Sequence, residues 1–152
     1  MLMLLFQLGN SRYAIPAAEV VEIAPHVNLE TIAMAPDCVR GLFNYRGLHV
    51  PVIDLHRLIN DSSCSDSFTS RIILVNYPLA DGTRRILGLL AERVTETIDI
   101  DGDSFTSTGL NMEQAPFLGD AARCEAGLVQ RISVTELLPE SIQSQLFPAE
   151  AG

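Results

Sequence analysis

Residues 41–55, Gly-Leu-Phe-Asn-Tyr-Arg-Gly-Leu-His-Val-Pro-Val-Ile-Asp-Leu, read as strand, tight turn, strand. Leu42, Val50, Val52 and Ile53 supply apolar side chains for burial on either side of the turn. Asn44 and Gly47 are turn formers, and they place Arg46 at the tip. An arginine presented alone on an otherwise apolar hairpin suits docking on a partner, and nothing around it resembles an active centre.

Strand-length apolar runs separated by turn signals continue along the chain. Residues 2–8 form a first strand, Gly9-Asn10-Ser11 a turn, and residues 12–15 a strand pairing back. Pro16 opens a helical turn through Ala17-Ala18-Glu19, and residues 20–23 extend again. Ala35-Pro36-Asp37 is a loop before strands 39–45 and 48–53, and residues 55–59 read as a short helix. Residues 61–67, Asp-Ser-Ser-Cys-Ser-Asp-Ser, form a polar linker. Strands resume at 71–77, 84–91 and 94–100, with Asp81-Gly82 marking the hairpin between the first two. The stretch 101–123 is the longest irregular region, with a short strand at 116–118. Residues 127–133 form a last strand. A terminal helix over 134–146 places Val134, Leu137, Leu138 and Ile142 on one stripe, and Pro139 kinks it or starts it afresh.

The chain has 152 residues, enough for one domain, or two small subdomains sharing a core. Apolar residues make up 47% and charged residues 19%, which opposes disorder. All ten cations are arginine, they are scattered, and the net charge is -9, so no basic face for nucleic acid is expected. The apolar start Met1–Phe6 lacks a basic flank and a small-residue cleavage site, so it reads as a buried strand rather than a signal segment. No apolar run approaches the roughly 20 residues that span a bilayer, and a cytoplasmic protein is expected. Cys38, Cys64 and Cys124 are far apart and odd in number, as fits reduced thiols.

Catalytic and metal readings fail on spacing. His49 and Asp54 lie five apart on one strand and face opposite sides, and Cys64 sits in a serine-rich linker that holds no nucleophile rigid. His26, His49 and His56 lack ligand spacing. The acidic run 99–103 resembles a calcium loop, but its twelfth position is Leu110 in place of glutamate. Gly82 and Gly88 build no phosphate cradle, since no helix follows Gly88. No cofactor, metal or catalytic residue is expected, and the chain is not expected to be an enzyme.

The halves echo one another. Gly9, Arg12, Ala18, Glu19 and Val21 align with Gly82, Arg85, Ala91, Glu92 and Val94 at an offset of 73. Ile53, Leu55, Leu58 and Ile59 align with Ile132, Val134, Leu137 and Leu138 at an offset of 79, so a longer loop in the second half absorbs the difference. Two small barrels of similar plan, each closed by a helix, follow from this repeat.

With these pieces in order the chain resembles the CheW-like domain family of bacterial chemotaxis-type signalling. The matching pieces are Phe6-Gln7-Leu8-Gly9 with Tyr13-Ala14-Ile15, Val20-Val21-Glu22-Ile23, and the hairpin 41–55 with its Asn-x-Arg-Gly turn. They continue with Ile72-Ile73-Leu74-Val75, then Gly88-Leu89-Leu90 with Val94 and Ile98, and Gly127-Leu128-Val129 before Leu137-Leu138. One departure is Ala91, which intervenes before Glu92 where the family often has an acidic residue directly after the strand.

The resemblance implies a mainly β fold of two SH3-like five-stranded barrels around a shared hydrophobic core, with short helices and a C-terminal helix. A single domain over 1–152 is expected, with subdomains near 9–69 and 70–133 closed by strand 2–8 and helix 134–146. It also implies a non-enzymatic adaptor joining a chemoreceptor's cytoplasmic tip to the regulatory domain of a CheA-type histidine kinase. Such an adaptor sits in receptor arrays through its partners, and no kinase or receiver domain is expected on this chain. Carried over by position, Arg46 matches the receptor-contacting arginine, and Asn44 and Gly47 complete its turn. Val20, Glu22, Arg40 and Gly41 match positions near the groove between the barrels. The alternative is a small SH3- or OB-like barrel binding another protein, a ligand or nucleic acid. The nucleic-acid version needs an aromatic platform or basic groove, against 6% aromatics and dispersed arginines here.

Overall fold

The computed structural model describes residues 1–25, 28–60, 70–79, 81–107, 117–125 and 127–147. Linker 61–67 with Cys64, together with His26, Leu110 and Pro116, lies outside the described residues. Among the described residues nine strands form: β1 (Leu2–Leu8), β2 (Ser11–Pro16), β3 (Val20–Pro25), β4 (Val39–Tyr45), β5 (Leu48–Asp54), β6 (Ser70–Pro78), β7 (Arg84–Asp99), β8 (Leu118–Cys124) and β9 (Gly127–Ile132). Two short helices, α1 (Leu55–Asn60) and α2 (Glu140–Leu146), join them, with 3-10 turns at Ala17–Glu19, Gly102–Ser104 and Val134–Glu136.

All nine strands belong to one sheet, and the organising element is β7 with its 16 residues. Residues 84–92 pair antiparallel with β6, and residues 88–90 also run parallel to 52–54 of β5. Residues 92–99 pair antiparallel with β1. Between these portions Arg93 has φ +47° and the register against β1 shifts, which bends the strand. The two strands expected at 84–91 and 94–100 are thus one strand with a bend. It serves two five-stranded groups: β3, β4, β5, β6 and the start of β7, and β1, β2, β8, β9 and the end of β7. These are the two SH3-like subdomains. Among the described residues the sheet is not closed, and its two subdomains are nonetheless SH3-like. Isolated bridges lie against β4 (Glu30–Leu42) and β8 (Thr106–Ala121).

Burial explains why several strands lack alternation. Val50, Val52, Ile72, Leu74 and Leu90 fill the first subdomain, and Met3, Leu5, Ala14, Ala122 and Val129 fill the second. The opposite faces of the same strands meet between them, where Leu4, Phe6, Ile15, Ile53, Ile73, Val75, Leu87 and Leu89 form the shared core. A strand buried on both faces has no polar face to show. Gly88 is needed here, since a Cβ would stand 2.9 Å from Val52 Cγ2 and 3.1 Å from Ile72 Cγ2.

The echo between the halves is carried by topology. β1 pairs β2 as β6 pairs the start of β7, and β4 pairs β5 as β8 pairs β9. β3 pairs β6 as the end of β7 pairs β1, and parallel β5–β7 corresponds to parallel β2–β9. The two isolated bridges correspond as well. The pairing therefore crosses the expected division near residue 69, and each subdomain draws strands from both halves of the sequence.

Two local differences stand out. β8 occupies Leu118–Cys124, inside the stretch expected to be irregular, because pairing with β9 outweighs the weak strand propensity of Gly119, Asp120, Ala121 and Ala122. The terminal helix is two pieces. Val134–Glu136 is a 3-10 turn, and Pro139 stands at the N-cap of a fresh helix, α2. Val134, Leu137 and Leu138 are buried in the shared core, and Ile142 packs on it.

Candidate docking site

The β4–β5 hairpin is closed by a two-residue loop, since Tyr45 pairs with Leu48. Arg46 has φ +51° and Gly47 φ +86°, the positive pair that a type I′ turn requires. The Gly47 N–H donates to Asn44 Oδ1 at 3.0 Å, fixing the turn from inside. The Arg46 side chain is left 76% exposed.

The exposed guanidinium is not unsupported. Its carbon lies 5.1 Å from the centroid of the Tyr45 ring, in cation–π range. Its Nη2 lies 3.9 Å from Glu22 Oε2 on β3. Interaction with the Glu22 carboxylate is the main reason the Tyr45 phenol pKa is raised above its ordinary value. Tyr45 in turn stacks on Phe43, with centroids 6.4 Å apart, and both rings pack on the core of the first subdomain. Interior, Phe43, Tyr45 and Arg46 thus form a ladder leading out to solvent.

β3 supplies the neighbouring surface. Its register against β6 shifts between Val20 and Glu22, so the in–out alternation is interrupted there. Val20 packs against the shared core, while Val21 and Ile23 stay 39% and 43% exposed beside Glu22. Two apolar side chains, a carboxylate, a phenol and a guanidinium are therefore carried by β3 and the hairpin tip. On the hairpin's other flank a groove of about 760 Å³ runs past Leu48, Pro51, Ile86 and Phe147. Arg84, Arg85 and His49 line it, and among the described residues no carboxylate does.

Arg40 and Gly41 belong to the base of the hairpin. Arg40 occupies the register shift between Val39 and Gly41, and its Nη1 meets Asp54 Oδ2 at 2.9 Å. Asp54 is buried, and its other oxygen accepts the backbone N–H groups of His56 (3.0 Å) and Arg57 (3.3 Å) at the start of α1. Gly41 has φ +151°, and a Cβ there would stand 2.5 Å from the Glu30 carbonyl oxygen. Of the residues singled out from sequence, the fold gathers Asn44, Arg46, Gly47 and Glu22 at the tip. It sets Val20, Arg40 and Gly41 behind them. Tyr45, Val21 and Ile23 were not singled out. The signal available for Tyr45 was its place immediately before the tip arginine.

A profile described as CheW-like domain matches residues 2–141. The chain belongs to the CheW-like domain family. Members of this family are non-enzymatic scaffold and adaptor proteins. The chain is 33% identical over 97 residues to "Chemotaxis protein CheW" of Klebsiella aerogenes, covering 60% of this chain and 58% of that protein. It is 28% identical over 95 residues to the protein of that name from Helicobacter pylori, covering 62% and 54%. With that from Treponema pallidum it shares 27% over 117 residues, covering 71% and 66%. The matches thus span little more than half the length of the first two relatives. The fold is similar to the crystal structure of scaffolding protein TtCheW from Thermoanaerobacter tengcongensis, with a TM-score of 0.79 and 25% identity, over 93% of this chain and 89% of that one. Among the described residues no group of His, Cys, Asp and Glu side chains could hold a metal, and no helix is long and apolar enough to cross a membrane.

Proposed function

We propose that this protein is a cytoplasmic chemotaxis-type adaptor, which binds the cytoplasmic tip of a chemoreceptor and the regulatory domain of a CheA-type histidine kinase. It acts through contact geometry, so that receptor state biases kinase activity. Family membership supports the adaptor role. The observation that carries the docking site is Arg46, held 76% exposed on a rigid turn within reach of Glu22 on β3, a strand whose Val21 and Ile23 are also exposed. A receptor tip is a helical hairpin, whose apolar residues suit Val21 and Ile23 and whose polar groups suit a forked guanidinium. Asn44 and Gly47 set the turn, Glu22 flanks the arginine, and Val20, Arg40 and Gly41 anchor the strands that carry it.

Arg46→Glu tests the reading. A buried arginine anchor contributes about 1–3 kcal/mol on truncation, so charge reversal should weaken binding to a receptor cytoplasmic fragment by at least about tenfold. Circular dichroism and melting should show an intact fold, since the side chain leaves the core untouched. Wild-type affinity in isothermal titration would refute the assignment of Arg46.

A further inference from the structure

We propose that Tyr45 is the positioning residue for Arg46, holding the guanidinium over its ring. The inference rests on the docking role of Arg46 and names what makes that arginine competent. A free arginine side chain loses much rotamer entropy on docking, and a pre-ordered one loses less. Arg46 is 76% exposed, and a 3.9 Å approach to Glu22 is too long to be a strong hydrogen-bonded pair. The ion pair alone would leave the guanidinium loosely held. Tyr45 adds a restraint of a different kind. Its ring centroid lies 5.1 Å from the guanidinium carbon, in cation–π range. The ring itself is braced by Phe43 at 6.4 Å and by the first subdomain's core. Order thus passes from the interior to an exposed cation without burying it.

The restraint is isolated by substitution. Tyr45→Phe keeps the ring, whereas Tyr45→Leu removes it. Binding to a receptor cytoplasmic fragment, read by titration calorimetry, should stay near wild type for Tyr45→Phe and weaken about threefold for Tyr45→Leu. NMR of the free protein supplies a readout that does not depend on the partner. The Arg46 Nε–H resonance should carry a ring-current shift and a raised order parameter in wild type and Tyr45→Phe, and should lose both in Tyr45→Leu. An unchanged Arg46 Nε–H signal in Tyr45→Leu overturns the positioning role. So does near-wild-type binding by a folded Tyr45→Leu variant when Arg46→Glu does not bind. If Arg46→Glu binds normally, the docking reading fails, and the NMR comparison still decides whether Tyr45 orders Arg46.

Discussion

Arg46 stands at the first central position of a type I′ turn with φ +51°, where asparagine or glycine is the relaxed choice. Holding a long side chain there costs about 1 kcal/mol. Arg46→Asn should therefore raise the unfolding free energy by about 0.5–1 kcal/mol, measured by urea denaturation, while weakening docking roughly tenfold. Lower stability in that variant would mean that the turn is not strained. The turn itself was legible, because Asn44 and Gly47 are local signals and the bond between them spans three residues. The Glu22 and Tyr45 contacts were not. Glu22 lies on another strand, and nothing local in either sequence segment says that β3 passes beside the hairpin tip.

The hairpin depends on how its strands are crossed and braced by neighbouring segments. Glu30 exchanges backbone hydrogen bonds with Leu42 at 3.0 and 2.8 Å, and this close crossing runs over Gly41. A methyl group on Gly41 would meet the Glu30 carbonyl at 2.5 Å, and backbone cannot yield as a side-chain end can. Gly41→Ala should cost about 2–3 kcal/mol, seen as a lower denaturant midpoint with an unchanged slope. A variant as stable as wild type would show that the crossing is loose. Strand positions such as Leu2–Leu8 and Val39–Tyr45 were readable, since apolar and β-branched runs ended at clear turns. β8 was not, because Gly119, Asp120 and two alanines make a strand only when β9 offers its edge.

The whole molecule is two subdomains that cannot be separated without breaking both. Each takes strands from both halves, β7 runs through both, and the faces turned away from the two small interiors meet in one shared core. Ile73 is fully buried in that core. Ile73→Ala should cost about 3–4 kcal/mol and lower a single unfolding transition. Calorimetric and van't Hoff enthalpies should agree in wild type and variant alike, and two resolved transitions would contradict the coupling. Periodicity, turn residues and charge distribution determined, from sequence alone, a β-rich chain of repeated plan with a lone arginine on a tight hairpin. Which strands pair was decided only in three dimensions. A strand buried on both faces carries no alternation to mark its neighbours, and pairings such as β3 with β6 are set by packing between residues some fifty positions apart, Val20 with Val75 among them. That exchange of strands belongs to the same tertiary packing that brings β3, with Glu22, to the hairpin tip and makes Arg46 more than an arginine on a turn.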